Sequence, residues 1–252
     1  MTAPRDNLTP APALADSPLL LGVEEGYQRW APYYDGAPNP LIAREERYIA
    51  PLLLPSLRGK RVLDLACGTG RWLQKAQMAG AEFAAGVDCS PAMLSIAAGK
   101  HSIHAKIALA DCTKLPFGPV AFDFAICSFA IGHIEDLRMM VRELTSVMKP
   151  GGEVFVSDVH PEAYARGWRT GFRDVLGSLQ IEVVPRMTEE IIRAFYSGGF
   201  ECLTYVSLCL GEAERPIFVS ADKEHAFENA TRVPAVLVCH FKQRNPPRRE
   251  LK

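Results

Sequence analysis

The chain has 252 residues, with 28 basic against 29 acidic side chains and a formal net charge of -1, so nothing in its charge favours a nucleic-acid partner. Hydrophobic residues make up 48% of it, which excludes general disorder and fits one large α/β domain with additions. Seven cysteines are scattered singly and no apolar run is long enough to span a bilayer, so the expectation is a soluble cytoplasmic protein without a disulfide framework or a membrane span.

Residues 1–18 are rich in Pro and Ala, lack an apolar period, and read as a flexible tail. The Leu19-Leu20-Leu21 run is too short for a signal-peptide core. Residues 19–56 mix aromatic, charged and apolar side chains at helical spacing and read as one or two helices ahead of the first strand.

Residues 60–73, KRVLDLACGTGRWL, are the stretch around which the rest is organised. Residues 61–65 form an apolar run with one acid, suited to a strand buried on both faces. Ala66, Cys67, Gly68, Thr69 and Gly70 are all small, and a helix follows. Such a turn lets a ligand lie against backbone at a helix N-terminus. The dinucleotide fingerprint GxGxxG is incomplete here, because its third glycine, counted from Gly68, is Leu73.

The pattern then alternates. Strands are expected over 82–88, 106–111, 122–129 and 153–158. Ser90-Pro91 opens a helix that runs to about Gly99. A stripe of Leu137, Met140, Val141, Leu144, Val147 and Met148 marks another, stopped at Pro150-Gly151-Gly152. This order predicts a doubly wound, mostly parallel sheet. Residues 159–187 are irregular, 188–198 helical, and 201–210 and 235–242 two closing strands joined by a long loop. Residues 244–252 read as a second flexible tail.

Asp64, Asp88 and Asp111 end three successive strands. Ligands in open α/β sheets lie beyond the carboxyl ends of the strands, so these acids and the glycine turn point at one crevice. Taken alone, each of them reads first as a turn residue or helix cap; it is the three together with the glycine turn that point to a site.

The acid-x-Ala-Cys-Gly-Thr-Gly turn, with the acids in this order, resembles the class I S-adenosylmethionine-dependent methyltransferases, Ala66 standing for the usual first glycine. Ala31-Pro32-Tyr33-Tyr34-Asp35 resembles a segment that closes over the cofactor in the ubiquinone/menaquinone-type, small-molecule branch; the competing reading is a turn with surface aromatics. The resemblance implies a Rossmann-like seven-stranded sheet with an antiparallel last strand and a helical cap. Residues 19–243 would form a single methyltransferase domain, with 57–158 as cofactor-binding core and 159–187 as cap insertion. It implies S-adenosyl-L-methionine as cofactor, no metal, and a small-molecule acceptor methylated on O, N or C by direct displacement.

Carried over residue by residue, Asp64 and the turn from Ala66 through Cys67 and Gly68 to Gly70 would face the methionine portion of the cofactor. Asp88 would accept from the ribose hydroxyls, Cys89 and Met93 would pack on adenine, and Asp111 with Cys112 would meet its amino group. Ser128 would lie near the methionine amine, and Tyr34 would belong to the closing segment. His133 and His160, after the fourth and fifth strands, are the two candidates for a base. The bland reading of each is a helix cap or a partner for a loop carbonyl. Tyr27, Tyr34, Trp72, Trp168 and Phe172 are candidates for an aromatic cavity or for ordinary core. Asn245-Pro246-Pro247 echoes a base-amino methyltransferase motif but lies in the tail, far from the fourth strand. Three rivals stay open: an enzyme that keeps the cofactor but catalyses a non-methylating reaction, a nucleotide-cofactor oxidoreductase, and a scaffold with a vestigial site.

Overall fold

The computed structural model describes residues 18–36, 38–100, 105–174 and 177–245. The two tail expectations therefore fall almost wholly outside the described residues, as do Pro246 and Pro247.

Five parallel strands, β2 (Arg61–Leu65), β3 (Phe83–Asp88), β4 (Lys106–Leu109), β5 (Phe122–Ser128) and β6 (Met148–Val159), are extended at one edge by β9 (Phe200–Cys209) and β10 (Pro234–Gln243). The spatial order is β4-β3-β2-β5-β6-β10-β9, and β10 runs antiparallel to both of its neighbours. The winding reverses between β2 and β5. Leu65 pairs with Val87 on one side and Cys127 on the other, so Ala66, Asp88 and Ser128 all emerge at one level of the crevice.

The strands are buried on both faces, with a period of two. Leu63, Leu65, Ala125, Cys127, Val154 and Val156 face α5 (Leu137–Val147) and α7 (Thr188–Ser197). Val62, Phe124, Ile126, Phe155, Val236 and Val238 face α2 (Pro40–Leu53) and α3 (Arg71–Met78). The α5 stripe is buried as the spacing requires, and each such Leu, Val or Met contributes about 1.5–3 kcal/mol on burial. Asp136 caps this helix by accepting from the Met139 N–H at 2.9 Å. Ser90 does the same for α4 (Pro91–Gly99).

Four features depart from the sequence reading. β6 begins at Met148, not 153, because Pro150-Gly151-Gly152 sits in a register irregularity within the strand, with Gly151 at φ +77°. Leu19–Leu21 is a strand, β1, paired in parallel with β8 (Gly177–Ile181), which pairs antiparallel with β7 (Gly171–Asp174). Residues 159–187 are thus partly ordered as α6 (Pro161–Ala165) and this second, three-stranded sheet. The long loop before β10 carries α8 (Arg215–Ser220) and α9 (Glu224–Ala230). The cap combines the small sheet with α1 (Val23–Tyr34); at Gly26 a Cβ would lie 2.7 Å from Ile181 Cγ1, so only glycine allows that approach.

Candidate functional site

Between β2 and α3 the backbone turns through three left-handed residues, Ala66 (φ +52°), Gly68 (φ +53°) and Gly70 (φ +80°). Glycine takes this conformation freely, whereas alanine gives up roughly 1–2 kcal/mol. The cost of alanine at position 66 is therefore conformational. Phe129, directly after β5, is also left-handed at φ +53°. Left-handed non-glycine residues therefore stand on both sides of the crevice, a conformation that clusters at active sites and ligand clamps. The Cys67 N–H donates to the Val87 carbonyl at 2.9 Å and ties the turn to β3. Close packing comes from Gly86 on β3, where a Cβ would sit 2.7 Å from Cys67 Sγ and 2.8 Å from Leu73 Cδ1. That glycine does what the third glycine does in a dinucleotide fingerprint, and Leu73 fills the gap.

A cavity of about 350 Å³ opens beyond these strand ends. Tyr34, Ala66, Gly68, Asp88, Cys89, Met93, Asp111, Cys112, Ser128 and His133 all line it. Asp64, Cys67 and Gly70 stand behind that lining. Asp88 Oδ2 accepts from the Gly68 N–H at 2.7 Å and Oδ1 from the Ser90 N–H at 2.8 Å. Burial raises its pKa and the two amides oppose the rise. Asp111, on the rim, holds Thr113 through its N–H at 2.7 Å and its hydroxyl at 2.8 Å. Asp64 is 3% exposed, and its Oδ2 has no partner. Burial pushes its pKa up to about 8; Arg71 pulls it down, and Asp88 and Glu45 add to the rise. Burial also pushes the Cys112 thiol up to about 12, and Cys67 and Cys127 are raised for the same reason. These thiols act as small apolar groups.

Ser128 is tied into a cluster that the sequence reading did not find. Its hydroxyl donates to Glu45 Oε1 at 2.6 Å and accepts from Arg71 at 2.7 Å. Glu45, fully buried on α2, also accepts from the Ser157 hydroxyl and pairs with Arg71 at 2.8 Å. Arg71 reaches Glu46 as well, at 2.8 Å. One signal was present: Glu45 lies on the stripe of Ile42, Ile49 and Leu53, where an acid has no reason to be unless it is paired.

The Ala31 to Asp35 segment sits over the glycine turn. Thr69 Oγ1 donates to Asp35 Oδ1 at 2.7 Å, and Lys100 Nζ bonds both Asp35 Oδ2 and the Thr69 carbonyl at 2.7 Å. Tyr33 is surface, but Tyr34 is turned inward to the cavity. The two histidines separate. His133 Nδ1 lies 3.1 Å from the Glu182 carbonyl, which can only accept, so Nδ1 carries the proton and Nε2 accepts from Tyr27 Oη at 2.8 Å. Burial lowers the pKa of His133 and raises that of Tyr27. His160 lies at the start of α6. Its Nδ1 caps α6 by accepting from the Glu162 N–H at 3.1 Å, its Nε2 bonds Ser207 at 2.9 Å, and it lines neither cavity.

A second cavity of about 90 Å³ shares Tyr27, Tyr34 and Phe129 with the first and adds Trp30, Trp168 and Asp158. Trp72 belongs to the core at 3% exposure, and Phe172 stacks on Trp30 at 5.1 Å. Of the five aromatic candidates, Tyr27, Tyr34 and Trp168 are cavity residues and these two are not.

Residues 62–152 match a family model described as a methyltransferase domain. The chain is 35% identical over 101 residues to the demethylmenaquinone methyltransferase of Bacillus licheniformis, covering 38% of this chain and 44% of that one. It is 30% identical over 159 residues to the 2-phytyl-1,4-naphtoquinone methyltransferase of Synechocystis sp., covering 59% and 66%. It thus spans about half to two thirds of the length of these curated relatives. A crystal structure of an S-adenosylmethionine dependent methyltransferase from Mesorhizobium loti superposes with a TM-score of 0.62 at 25% identity, covering 81% of this chain and all of that one. No helix among the described residues is long and apolar enough to cross a membrane.

Proposed function

Because this chain carries a class I S-adenosylmethionine-dependent methyltransferase domain, we propose that it transfers a methyl group from S-adenosylmethionine to an O, N or C atom of a small-molecule acceptor by direct displacement. The observation that carries this reading is the pair of adjoining cavities, one rich in acceptors and one walled by aromatics, meeting at Tyr27, Tyr34 and Phe129. The lining fits the cofactor. Asp88 and Asp111 offer carboxylates from the lining to a ligand rich in hydroxyl, amino and positive groups, and Asp64, outside the lining at the end of β2, keeps a buried oxygen that lacks a partner.

When bound, the cofactor supplies a methyl group already made electrophilic by its sulfonium. The chain's own work is to orient and to exclude water. Asp88 would hold the ribose hydroxyls with lone pairs left over from Gly68 and Ser90, Cys89 and Met93 would pack on the adenine, and Asp111 would meet its amino group. Asp64 and the glycine turn would hold the methionine portion. The small sheet and α1 cover the acceptor, and residues 19–243 work as one unit. Seven free thiols suit a reducing compartment, the cytoplasm.

Calorimetry with S-adenosylhomocysteine in the presence of EDTA tests the reading; micromolar-range binding is expected. Burial raises the Asp64 pKa to about 8, so pairing with the ammonium group of the ligand is expected to release protons on binding at pH 7, and fewer as the pH rises through 8. Affinity therefore rises with pH towards 8 and levels off above it. Titrations in buffers of different ionisation enthalpy count these protons, and a count near zero at pH 7 removes Asp64 from the cofactor site. No binding heat at several temperatures, with no thermal shift, overturns the whole reading. Release of S-adenosylhomocysteine on turnover separates methyl transfer from a reaction that leaves the cofactor unconsumed.

Asp88→Ala is expected to weaken S-adenosylhomocysteine binding by about 1–3 kcal/mol, the cost of leaving buried donors short of an acceptor. An unchanged dissociation constant in a normally folded variant places the ribose elsewhere.

A further inference from the structure

The smaller cavity holds a buried carboxylate that is hydrogen-bonded but forms no ion pair among the described residues. Asp158 is 9% exposed. Its Oδ2 accepts from the Gly132 N–H at 2.8 Å and its Oδ1 from the Val159 N–H at 2.7 Å, and the Ile131 amide also favours its charged form. Among the described residues it forms no ion pair, and the charged group acting on it most strongly is Glu45, of the same sign. Arg71 is already engaged by Glu45 and Glu46. Arg169 also lines the cavity and keeps its positive charge, but it is solvent-exposed, is held by the Tyr164 and Trp168 carbonyls at 2.9 and 2.7 Å, and forms no ion pair with Asp158. Burial pushes the Asp158 pKa up to about 6, and the three amides oppose that rise, so the carboxylate is mostly ionised at neutral pH. Around it stand Tyr27, Trp30, Tyr34, Phe129 and Trp168.

A buried carboxylate without an ion-pair partner, inside an aromatic box, is a recognition site for a cation. We propose that the acceptor is a small amine, bound as its ammonium ion between Asp158 and the aromatic walls. This rests on the methyltransferase reading and narrows its acceptor from O, N or C to N. The ammonium N–H proton passes to Tyr27 Oη as the Tyr27 proton passes to His133 Nε2. The freed nitrogen lone pair forms the N–CH₃ bond, the carbon–sulfur pair stays on sulfur, and His133 returns the proton to solvent.

The test uses the full chain at pH 7.5, with and without saturating S-adenosylhomocysteine. Benzylamine and tetramethylammonium are titrated against the neutral molecules of similar shape, benzyl alcohol and tert-butanol, with phenol as a third neutral probe. Each cation is expected to bind at least about tenfold more tightly than its neutral counterpart. Asp158→Asn removes that preference while S-adenosylhomocysteine affinity stays within about twofold. Should Asp158→Asn fail to fold, Trp168→Leu decides, since it removes an aromatic residue of the lining and weakens the cations roughly 3- to 30-fold more than the alcohols. Equal affinity for amine and alcohol, tighter binding of phenol, or no binding of any cation at millimolar concentration overturns the proposal. If S-adenosylhomocysteine binds and the amines show no preference, this inference alone fails. If S-adenosylhomocysteine does not bind, the methyltransferase reading falls, and the amine preference of the free protein still decides the chemistry of the cavity.

Discussion

Arg71→Met is expected to destabilise the protein by about 3–5 kcal/mol, because it strands a buried anion. Glu45 is fully buried, while the Arg71 side chain is 22% exposed, so the carboxylate is the member left without recourse to water. Burial works against the charge of Arg71, and Glu45 and Glu46 more than offset it, holding the guanidinium protonated. Arg71 is also the first residue of α3, where a cation opposes the helix dipole at a cost of about 0.3–1 kcal/mol. Only the acids of α2 make that position favourable. For a chain of this size the loss corresponds to roughly 6–20 °C in melting temperature. Combining Arg71→Met with Glu45→Met should recover most of it, since replacing both members of a buried pair is often neutral. Denaturant unfolding of the three variants measures this. A single-mutant loss below about 1 kcal/mol would mean that solvent screens the pair as it does at a surface.

The same pair shows where sequence stops being readable. β2 and α4 stand where the pattern put them, because a run buried on both faces and a Ser-Pro helix start are local signals. Glu45 and Arg71 are 26 residues apart on different elements, and nothing local tells a paired acid from a solvated one. β1 was invisible for the same reason: three leucines have no period, and their partner β8 begins at Gly177. β6 was cut short because Pro-Gly-Gly is ordinarily a stop, and here a register irregularity absorbs it. Of the three acids, Asp88 and Asp111 line the crevice, but Asp64 stays under the turn, since its position in β2 fixed its strand and not its reach. His160 was readable after all. A capping residue followed by proline at the first helical position is the signature already used for Ser90.

His133→Ala is expected to lower methyl-transfer turnover by about 10²–10⁴-fold while cofactor affinity and melting temperature stay close to wild type. The hydrogen-bond directions make the case. The Glu182 carbonyl fixes the proton on Nδ1, which leaves Nε2 free to take one, and Tyr27 is the group that offers it. Burial keeps the Tyr27 phenol protonated, so it passes a proton along and does not hold a phenolate. Tyr27 touches both cavities, whereas His133 lines only the larger one. Tyr27→Phe should therefore cost turnover on the same scale, and the double variant little more than either alone, as for residues that act as a unit. The pH profile gives an independent sign. A histidine whose pKa is lowered from 6.5 remains a free base to lower pH, so the acid limb of turnover falls below 6.5. If each variant loses less than about tenfold, or loses activity in step with thermal stability, the pair is structural, and the acceptor gives up its proton elsewhere.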